Sequence, residues 1–402
     1  MRILYINDFD ELGGAEVVVR LLVREIGKHH TVRLVSGKAI APRLRPWSYV
    51  YSFGTGRRLR QVLWEFKPHV VHLANYCYRL SPSVLAELAR YKRTGESCAV
   101  VHTAHDMHLL SPNSGMVTFR KHSKVPNREP LRRPSLSKLL SSRWDHRGLG
   151  YSSLKLLQWT LSYRLLRLDR VFDHIVAPSA FLAKALSGVY PGRLSTIRNP
   201  VTIPVVLSNF RSEAADKHVR LVFAGRLSAA KGIRSWIAKV DLANWDKLHL
   251  IIFGDGPDRR AIEELADEAP RKGRIALRGY VEHATLLREL PDYDALLLPS
   301  FVYENAPVTI VEAAATGLHT LCSNHGGMRE LADLCGGGYY FEPDSSESVN
   351  QTLRALCNDI RRGLPPTVDV ERIGEELSMT QFVDRHKLLY RALHTGDRPS
   401  YA

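Results

Sequence analysis

Two successive α/β units, each a parallel sheet covered by helices on both faces, are the fold class this sequence predicts, on three observations. Short apolar runs that read as strands alternate with helical stretches along the whole chain. The runs fall into two sets of five, one in each half. A length of 402 residues is that of two to three domains.

In the first half the strand runs are Arg2–Ile6, Thr31–Val35, Val70–Leu73, Cys98–His102 and His174–Ala177. In the second they are Val219–Ala224, Leu248–Phe253, Arg274–Leu277, Ala295–Leu298 and His319–Cys322. Between the sets, from Asn199-Pro200 to Lys217, prolines and polar residues punctuate the chain and mark a domain boundary. The predicted organisation is therefore two Rossmann-like, doubly wound domains, 1–200 and 201–378, with a last segment 379–402. In that segment Phe382, Leu388, Leu389 and Tyr390 recur at helical spacing. Ligands of open parallel sheets bind beyond the carboxyl ends of the strands, so a cleft between the two domains is expected.

The second half carries the densest chemistry. The stretch 299–317, PSFVYENAPVTIVEAAATG, follows a buried strand and opens a helix, with Pro307 suited to its first turn. A helix start offers unpaired N–H groups and partial positive charge, which suit phosphate or sugar oxygens. Glu304 in the loop and Glu312 inside the helix are strong acceptors for paired sugar hydroxyls. As an isolated pair they would be ordinary solvated charges. After Val219–Ala224 come Arg226 and Lys231, a forked donor and a point charge fit to clamp a diphosphate. After Leu248–Phe253 comes Gly254-Asp255-Gly256-Pro257, a turn that brings backbone close to a ligand or is merely tight.

The ordered motifs FAGRLSAAKG, IFGDGP, RGYVEH, EN-x5-VEA and SNHGG resemble the donor-binding half of family 4 glycosyltransferases, retaining enzymes of the GT-B fold. The first half resembles the acceptor domain of that family, through MRILYIND, Gly13-Gly14-Ala15-Glu16, TAHD at 103–106, VAPSAFLAKAL and IRNPV. The resemblance implies two Rossmann-like domains facing across a cleft and a closing helix that crosses back to the first. It implies transfer from a nucleotide-diphosphate sugar with retention and without a metal or other cofactor. Arg226 and Lys231 would hold the diphosphate, with backbone near Gly13, Gly14 and the helix after Asn305. Glu304 would contact the sugar and Glu312 the ribose. Gly254, Tyr280, Val281, Asn305, Ala306 and Pro307 would line the nucleotide-sugar site, and Tyr280 and Val281 would border the base. His105 would stand near the sugar as a catalytic residue with Glu304, Arg226 and Lys231, and Asp106 near the acceptor. Asn305-Ala306 replaces the Gly-Phe of many relatives, and Thr316-Gly317-Leu318-His319 a Gly-x-Pro turn.

Composition narrows the partners. The net charge of +15 divides into +19 on residues 1–200 and −4 on residues 201–402. Residues 120–147 hold nine basic residues against Glu129 and Asp145, and Pro126, Pro130 and Pro134 bar a long helix there. An exposed basic loop is expected, able to meet an anionic membrane. The stretch 149–170 has leucines and aromatics at helical spacing and is expected to pack on the sheet. Nucleic acid is disfavoured as a partner, because only Phe119 and Trp144 offer stacking in the basic segment. The expected acceptor is a glycan or a lipid-linked molecule, a soluble small molecule being the alternative.

Five cysteines without C-x-x-C spacing argue against a disulfide framework and a zinc site. His102, His105 and His108 recur at every third residue but lack Cys or carboxylate partners at ligand spacing. No basic-then-apolar leader and no membrane-length apolar run occur, so a cytoplasmic protein, peripheral on the inner face of the membrane, is expected.

Overall fold

The computed structural model describes residues 1–8, 14–41, 46–121, 126–201 and 218–397. Gly13 and most of the boundary stretch 199–217 lie outside the described residues. The chain divides into two compact units. The first comprises residues 1–123, 129–200 and 379–402, the second residues 124–128 and 201–378.

The first unit holds a six-stranded parallel sheet: β1 (Arg2–Asn7), β2 (Thr31–Ser36), β3 (Val70–Leu73), β4 (Ala99–Thr103), β5 (His174–Ala177) and β6 (Leu194–Thr196), in the order β2-β1-β3-β4-β5-β6. Its central strands are short and buried on both faces, which is why they read as near-continuous apolar runs. Ile3, Tyr5, Val70, Val101 and Val176 pack with Val18, Leu22 and Ile26 of the helix Gly14–Gly27. The closing helix, Met379–Thr395, adds Phe382, Leu389 and Tyr390 to the same core, while Leu388 stays exposed. Three of the four apolar residues read at helical spacing thus face the core, and Leu388 alone turns outward.

The second unit repeats the plan with β7 (Val219–Ala224), β8 (Leu248–Phe253), β9 (Ile275–Gly279), β10 (Ala295–Leu298), β11 (His319–Ser323) and β12 (Tyr339–Phe341). All pairings are parallel and the order is β9-β8-β7-β10-β11-β12. Successive side chains of β7 point to opposite faces, so Leu221 and Phe223 join a core with Trp236 and Leu353, and Val222 joins another with Leu296 and Val311. In this sheet the strand order reverses between β7 and β10, leaving a crevice beyond their carboxyl ends, the place where such sheets bind ligands.

Two expectations about the basic first half need correction. Residues 129–147 are not simply an exposed loop. Ser135, right after Pro134, caps a short helix, Leu136–Ser141, its hydroxyl accepting from the N–H of Lys138. Leu139 and Trp144 are fully buried, the indole N–H donating to the Leu139 carbonyl at 3.0 Å. Three of the local cations are occupied: Lys138 meets Glu129 at 2.9 Å, and Arg147 and Lys155 both meet the buried Asp145 at 2.9 Å. Burial opposes ionisation of Asp145, yet those two cations hold its carboxyl well below the usual range. Prolines barred a long helix there, not a packed segment.

The stretch 149–170 is also not one helix with its leucines inward. An α-helix, Leu149–Trp159, widens into a π turn, Thr160–Leu165, and ends at Arg167, which takes left-handed backbone angles (φ 49°). The inward face is polar and aromatic. Ser152 accepts from the Trp144 N–H, Gln158 donates to the carbonyls of Tyr49 and Cys77, and Trp159 donates to that of His108. Leu149, Leu157, Leu165 and Leu166 face solvent. Hydrogen bonds to loop carbonyls, which need donors, outcompeted the leucines for the interior.

Candidate functional site

Every motif of the second half follows the carboxyl end of a strand of the second sheet. Residues 225–232 follow β7, 254–257 follow β8, 280–281 follow β9, 299–307 follow β10 and 324–327 follow β11. The β7 and β10 loops meet at the crevice where the strand order reverses. There the amide of Phe301 donates to the carbonyl of Ala230 at 2.8 Å. That junction brings Lys231 and Glu304 together, Nζ to Oε1 at 2.7 Å, and the Ser300 hydroxyl donates to the same Oε1 at 2.6 Å. Burial alone would raise the Glu304 pKa, but Lys231 and Ser300 bring it below the usual carboxylate value. Glu304 is therefore an anion at neutral pH, with Oε2 making no hydrogen bond among the described residues.

Glu312 stands in the helix Val308–Ala315, for which Pro307 is the cap rather than a first-turn residue. Its side chain is only 4% exposed. Oε1 meets His283 Nε2 at 2.7 Å, while Oε2 is buried with no hydrogen-bond partner among the described residues. A buried carboxylate oxygen without a donor is costly, and native structures keep few of them.

The loop geometry depends on glycines. Gly327, opening the helix Gly326–Leu334, donates its N–H to the Glu304 carbonyl at 2.7 Å. A Cβ there would lie 1.7 Å from the Asn305 carbonyl oxygen. Gly327→Ala should push the 304–305 loop outward. A drop of about 1–3 kcal/mol in stability is expected, with a larger loss of any activity that uses Glu304. Thermal melts and turnover measured on one preparation check this; unchanged turnover would contradict the role given to the loop. Gly254 has a different reason to be glycine than an approaching ligand. At φ 130°, its absent Cβ would sit 1.9 Å from the Gly225 carbonyl oxygen, so the β7 and β8 loops themselves need the space.

The remaining predicted residues scatter more. Arg226 is exposed and makes no ion pair among the described residues. Tyr280 is 80% exposed, whereas Val281 is partly buried against the core on one face of the sheet. Asn305, Ala306 and Pro307 are half-buried in the β10 loop. Gly14 opens the first helix with open space where a Cβ would be. Sequence reasoning missed Ser300 and His283. Both lie within quoted motifs, but only the folded chain shows which carboxylate each one meets.

In the first unit, His105 follows β4 and lines a small cavity of about 20 Å³ with Tyr5, His72 and His386. Burial pushes its imidazole down to about 4, so it is neutral at pH 7. Asp106 accepts from the His108 N–H at 2.8 Å, and burial raises its carboxyl to about 6. Asp8, at the end of β1, was not singled out in the sequence. Its buried carboxylate accepts the N–H groups of Tyr78, Arg79 and Leu80, tying the β3 loop to the place where this sheet reverses order. All five cysteines are buried and free, and no metal-ligating group of three or more His, Cys, Asp or Glu side chains occurs among the described residues. No described helix is long and apolar enough to cross a membrane.

Comparison with known proteins places this arrangement. Residues 12–203 match the family model for Glycosyltransferase Family 4, and residues 207–362 match that for Glycosyl transferases group 1. An uncharacterized 42.6 kDa protein in the cps region of Klebsiella pneumoniae is 24% identical over 83% of this chain and 87% of its own length. The 2-deoxystreptamine N-acetyl-D-glucosaminyltransferase of Niallia circulans is 27% identical, over 38% of this chain and 39% of its own length. The gpi3 subunit of the phosphatidylinositol N-acetylglucosaminyltransferase of Schizosaccharomyces pombe is 30% identical, over 60% of this chain and 52% of its own length. The chain thus spans about half or less of these last two relatives.

Among solved structures, Anabaena HepE in complex with UDP superposes with a TM-score of 0.64 at 13% identity, over 98% of this chain and 100% of that one. Sucrose-phosphate synthase from Thermosynechococcus elongatus gives 0.66 at 15% identity with the same coverage. At such identities the likeness is one of fold. The chain belongs to the family 4, group 1 type of glycosyltransferases with the GT-B fold.

Proposed function

We propose that this glycosyltransferase moves a sugar from a nucleotide-diphosphate sugar to a glycan or lipid-linked acceptor during synthesis of cell-surface polysaccharide or glycolipid. The observation that carries the donor half of this reading is the pair of carboxylates that follow β10, Glu304 half-buried and Glu312 buried. Glu304 is held by Lys231, and Glu312 keeps an unpartnered oxygen turned away from His283. The orphaned Glu312 oxygen costs stability unless a hydroxyl donor meets it, and Glu304 keeps Oε2 open for another.

Glycosyl transfer from a diphosphate requires stabilisation of the leaving phosphate and of positive charge at the anomeric carbon. An ammonium has three donors. With one on Glu304, Lys231 keeps others for the phosphate oxygens, and the exposed Arg226 adds a forked pair. Glu304 supplies an acceptor for sugar hydroxyls through Oε2, and Glu312 Oε2 accepts from the ribose. His105, neutral, serves as a hydrogen-bonding partner of the sugar, and Asp106 of the acceptor. The cations perform the work a divalent metal does elsewhere, so the reaction proceeds without one. Retention is the outcome the family resemblance implies.

Cell-surface acceptors are favoured by the relatives' own descriptions. The lipopolysaccharide outer core galactosyltransferase WaaB shares the fold with a TM-score of 0.59. A colanic acid biosynthesis glycosyltransferase of Escherichia coli, described as putative and named WcaL, is 26% identical over 34% of this chain. The basic first unit suits an anionic membrane surface where such acceptors reside.

The test is a panel of UDP-, GDP- and other nucleotide sugars, screened for hydrolysis and thermal protection with and without EDTA. One donor should be hydrolysed slowly, and at an unchanged rate in EDTA. No hydrolysis and no protection by any donor would contradict the transferase reading, and a strict requirement for Mg²⁺ or Mn²⁺ would contradict the roles of Arg226 and Lys231.

A further inference from the structure

The first unit carries a second charged site, apart from any strand carboxyl end. A wide, open pocket of about 1020 Å³ is lined by Arg133, Arg164, Arg167, Arg170 and Arg193, with Asp169 as the one acid among its lining residues. Arg170 and Arg193 stand just before the amino ends of β5 and β6, whereas His105 and Asp106 follow the carboxyl end of β4. In a parallel sheet these are opposite edges. The pocket therefore does not belong to the site described above.

Its electrostatics are unbalanced. Arg133 is committed: Nη2 lies 2.9 Å from Asp169 and 2.8 Å from the Tyr190 hydroxyl. Arg164 and Arg193 donate to the backbone carbonyls of Pro134 and Phe172 and meet no acid among the described residues, Arg164 lying also over the Trp159 ring at 5.7 Å. Arg167 and Arg170 are exposed and make no ion pair among the described residues. Four guanidinium charges thus line one concavity whose single acid, Asp169, is taken by Arg133, an arrangement that attracts phosphate oxygens bidentately.

Exposed leucines adjoin the lining residues in sequence. Leu165 and Leu166 lie in sequence between Arg164 and Arg167 and are 70% and 51% exposed. Leu149 and Leu157, on the helix that leads into this turn, also face solvent, because that helix turned its polar and aromatic side inward. Soluble phosphate ligands need no such leucines. A bilayer surface does, since it presents phosphate headgroups beside hydrocarbon.

We propose that this pocket is the membrane anchor of the chain: it binds phosphates of anionic phospholipid headgroups while Leu165 and Leu166 enter the acyl boundary. The proposal deepens the reading of a membrane-resident acceptor given above and rests on it. It also centres the contact on Arg164, Arg167, Arg170 and Arg193 rather than on Lys138 and Arg147, which are paired with Glu129 and Asp145.

The experiment is cosedimentation of the whole protein with vesicles of phosphatidylcholine alone and of phosphatidylcholine containing 30% phosphatidylglycerol. Three forms are compared: wild type, Arg167→Gln/Arg170→Gln, and Leu165→Ser/Leu166→Ser. The expected result is binding to the anionic vesicles only, weakened by salt, and reduced about 10-fold or more by the arginine pair and several-fold by the leucine pair. Circular dichroism melts verify that each variant is folded; the altered side chains are all exposed, so melts close to wild type are expected.

Equal binding by wild type and the arginine variant would overturn the assignment. So would thermal protection by inorganic pyrophosphate without vesicle binding, which identifies a soluble phosphate ligand. Binding to duplex DNA at physiological salt in preference to vesicles would overturn it as well. Donor hydrolysis by the wild type is measured separately. Hydrolysis without vesicle binding removes the anchor and leaves the transferase reading intact, while absence of hydrolysis removes that reading whatever the vesicles do.

Discussion

Glu304→Gln should lower turnover of the donor by about 100- to 1000-fold, the size of effect seen when one preorganised electrostatic partner of a transition state is removed. The amide keeps the shape of the side chain and leaves a hydrogen-bond acceptor for Ser300. What it loses is the negative charge that Lys231 and Ser300 stabilise. Because Lys231 is about a third exposed, the stability lost with the ion pair should be modest, on the order of 1 kcal/mol after solvent screening. Nucleoside diphosphate affinity should change only a few-fold. Lys231→Ala, in contrast, should weaken diphosphate binding as well as turnover, because it removes a phosphate partner. Steady-state rates with the donor identified by the panel, together with nucleotide titrations, check both variants. A Glu304→Gln enzyme within threefold of wild type would remove Glu304 from the chemistry.

Mild acid should unfold the first unit. Burial holds His102 and His108 down to about 3, His105, His174 and His386 down to about 4, and His72 well below its ordinary value. In the unfolded chain each would titrate near 6.5. Below that pH the unfolded state gains protons that the folded state refuses, so stability falls as pH drops from 6.5 toward 4, by up to ~1.4 kcal/mol per pH unit for each histidine.

Asp8 and Asp106, both raised to about 6 by burial, act in the opposite sense. Their folded forms keep a proton that the unfolded forms release above about 4, so their contribution is lost as pH rises through 6. Six histidines outweigh two carboxyls, and a net loss on the order of 5 kcal/mol is expected near pH 5.5, comparable with the whole stability of a domain. Urea denaturation at pH 7.5 and 5.5 measures it. A midpoint that holds or rises at the lower pH would contradict the buried, neutral state of these imidazoles.

Much of this architecture was legible in the sequence, and the reasons differ by element. Val70–Leu73, His174–Ala177, Val219–Ala224, Leu248–Phe253 and Ala295–Leu298 form strands with the bounds read from their apolar runs. Central strands buried on both faces write their length into hydropathy. The edge strands Leu194–Thr196 and Tyr339–Phe341 escaped notice because three residues leave no run to detect. The helix Leu149–Trp159 misled for a different reason. Leucine spacing predicts an inward face only when hydrocarbon is what the interior offers, and here it offered carbonyls to Gln158 and Trp159.

At the candidate site, spacing alone gave Glu304 and Lys231 no reason to meet. Their ion pair depends on β7 and β10 being neighbours, which the order of strands along the chain does not state. His283 likewise reaches Glu312 only through the packing of two helices.

The central claim is that Glu304 and Glu312, both beyond β10, exist for a nucleotide-diphosphate sugar, and Glu312→Leu tests it most directly. Leucine fills a similar volume and removes a buried charge whose Oε2 has no partner among the described residues, so the melting temperature should hold or rise. Calorimetric titration with the preferred nucleoside diphosphate, in EDTA, should show affinity reduced at least 10-fold, the loss of one charged hydrogen bond. Wild-type affinity in a stable Glu312→Leu protein would contradict the account.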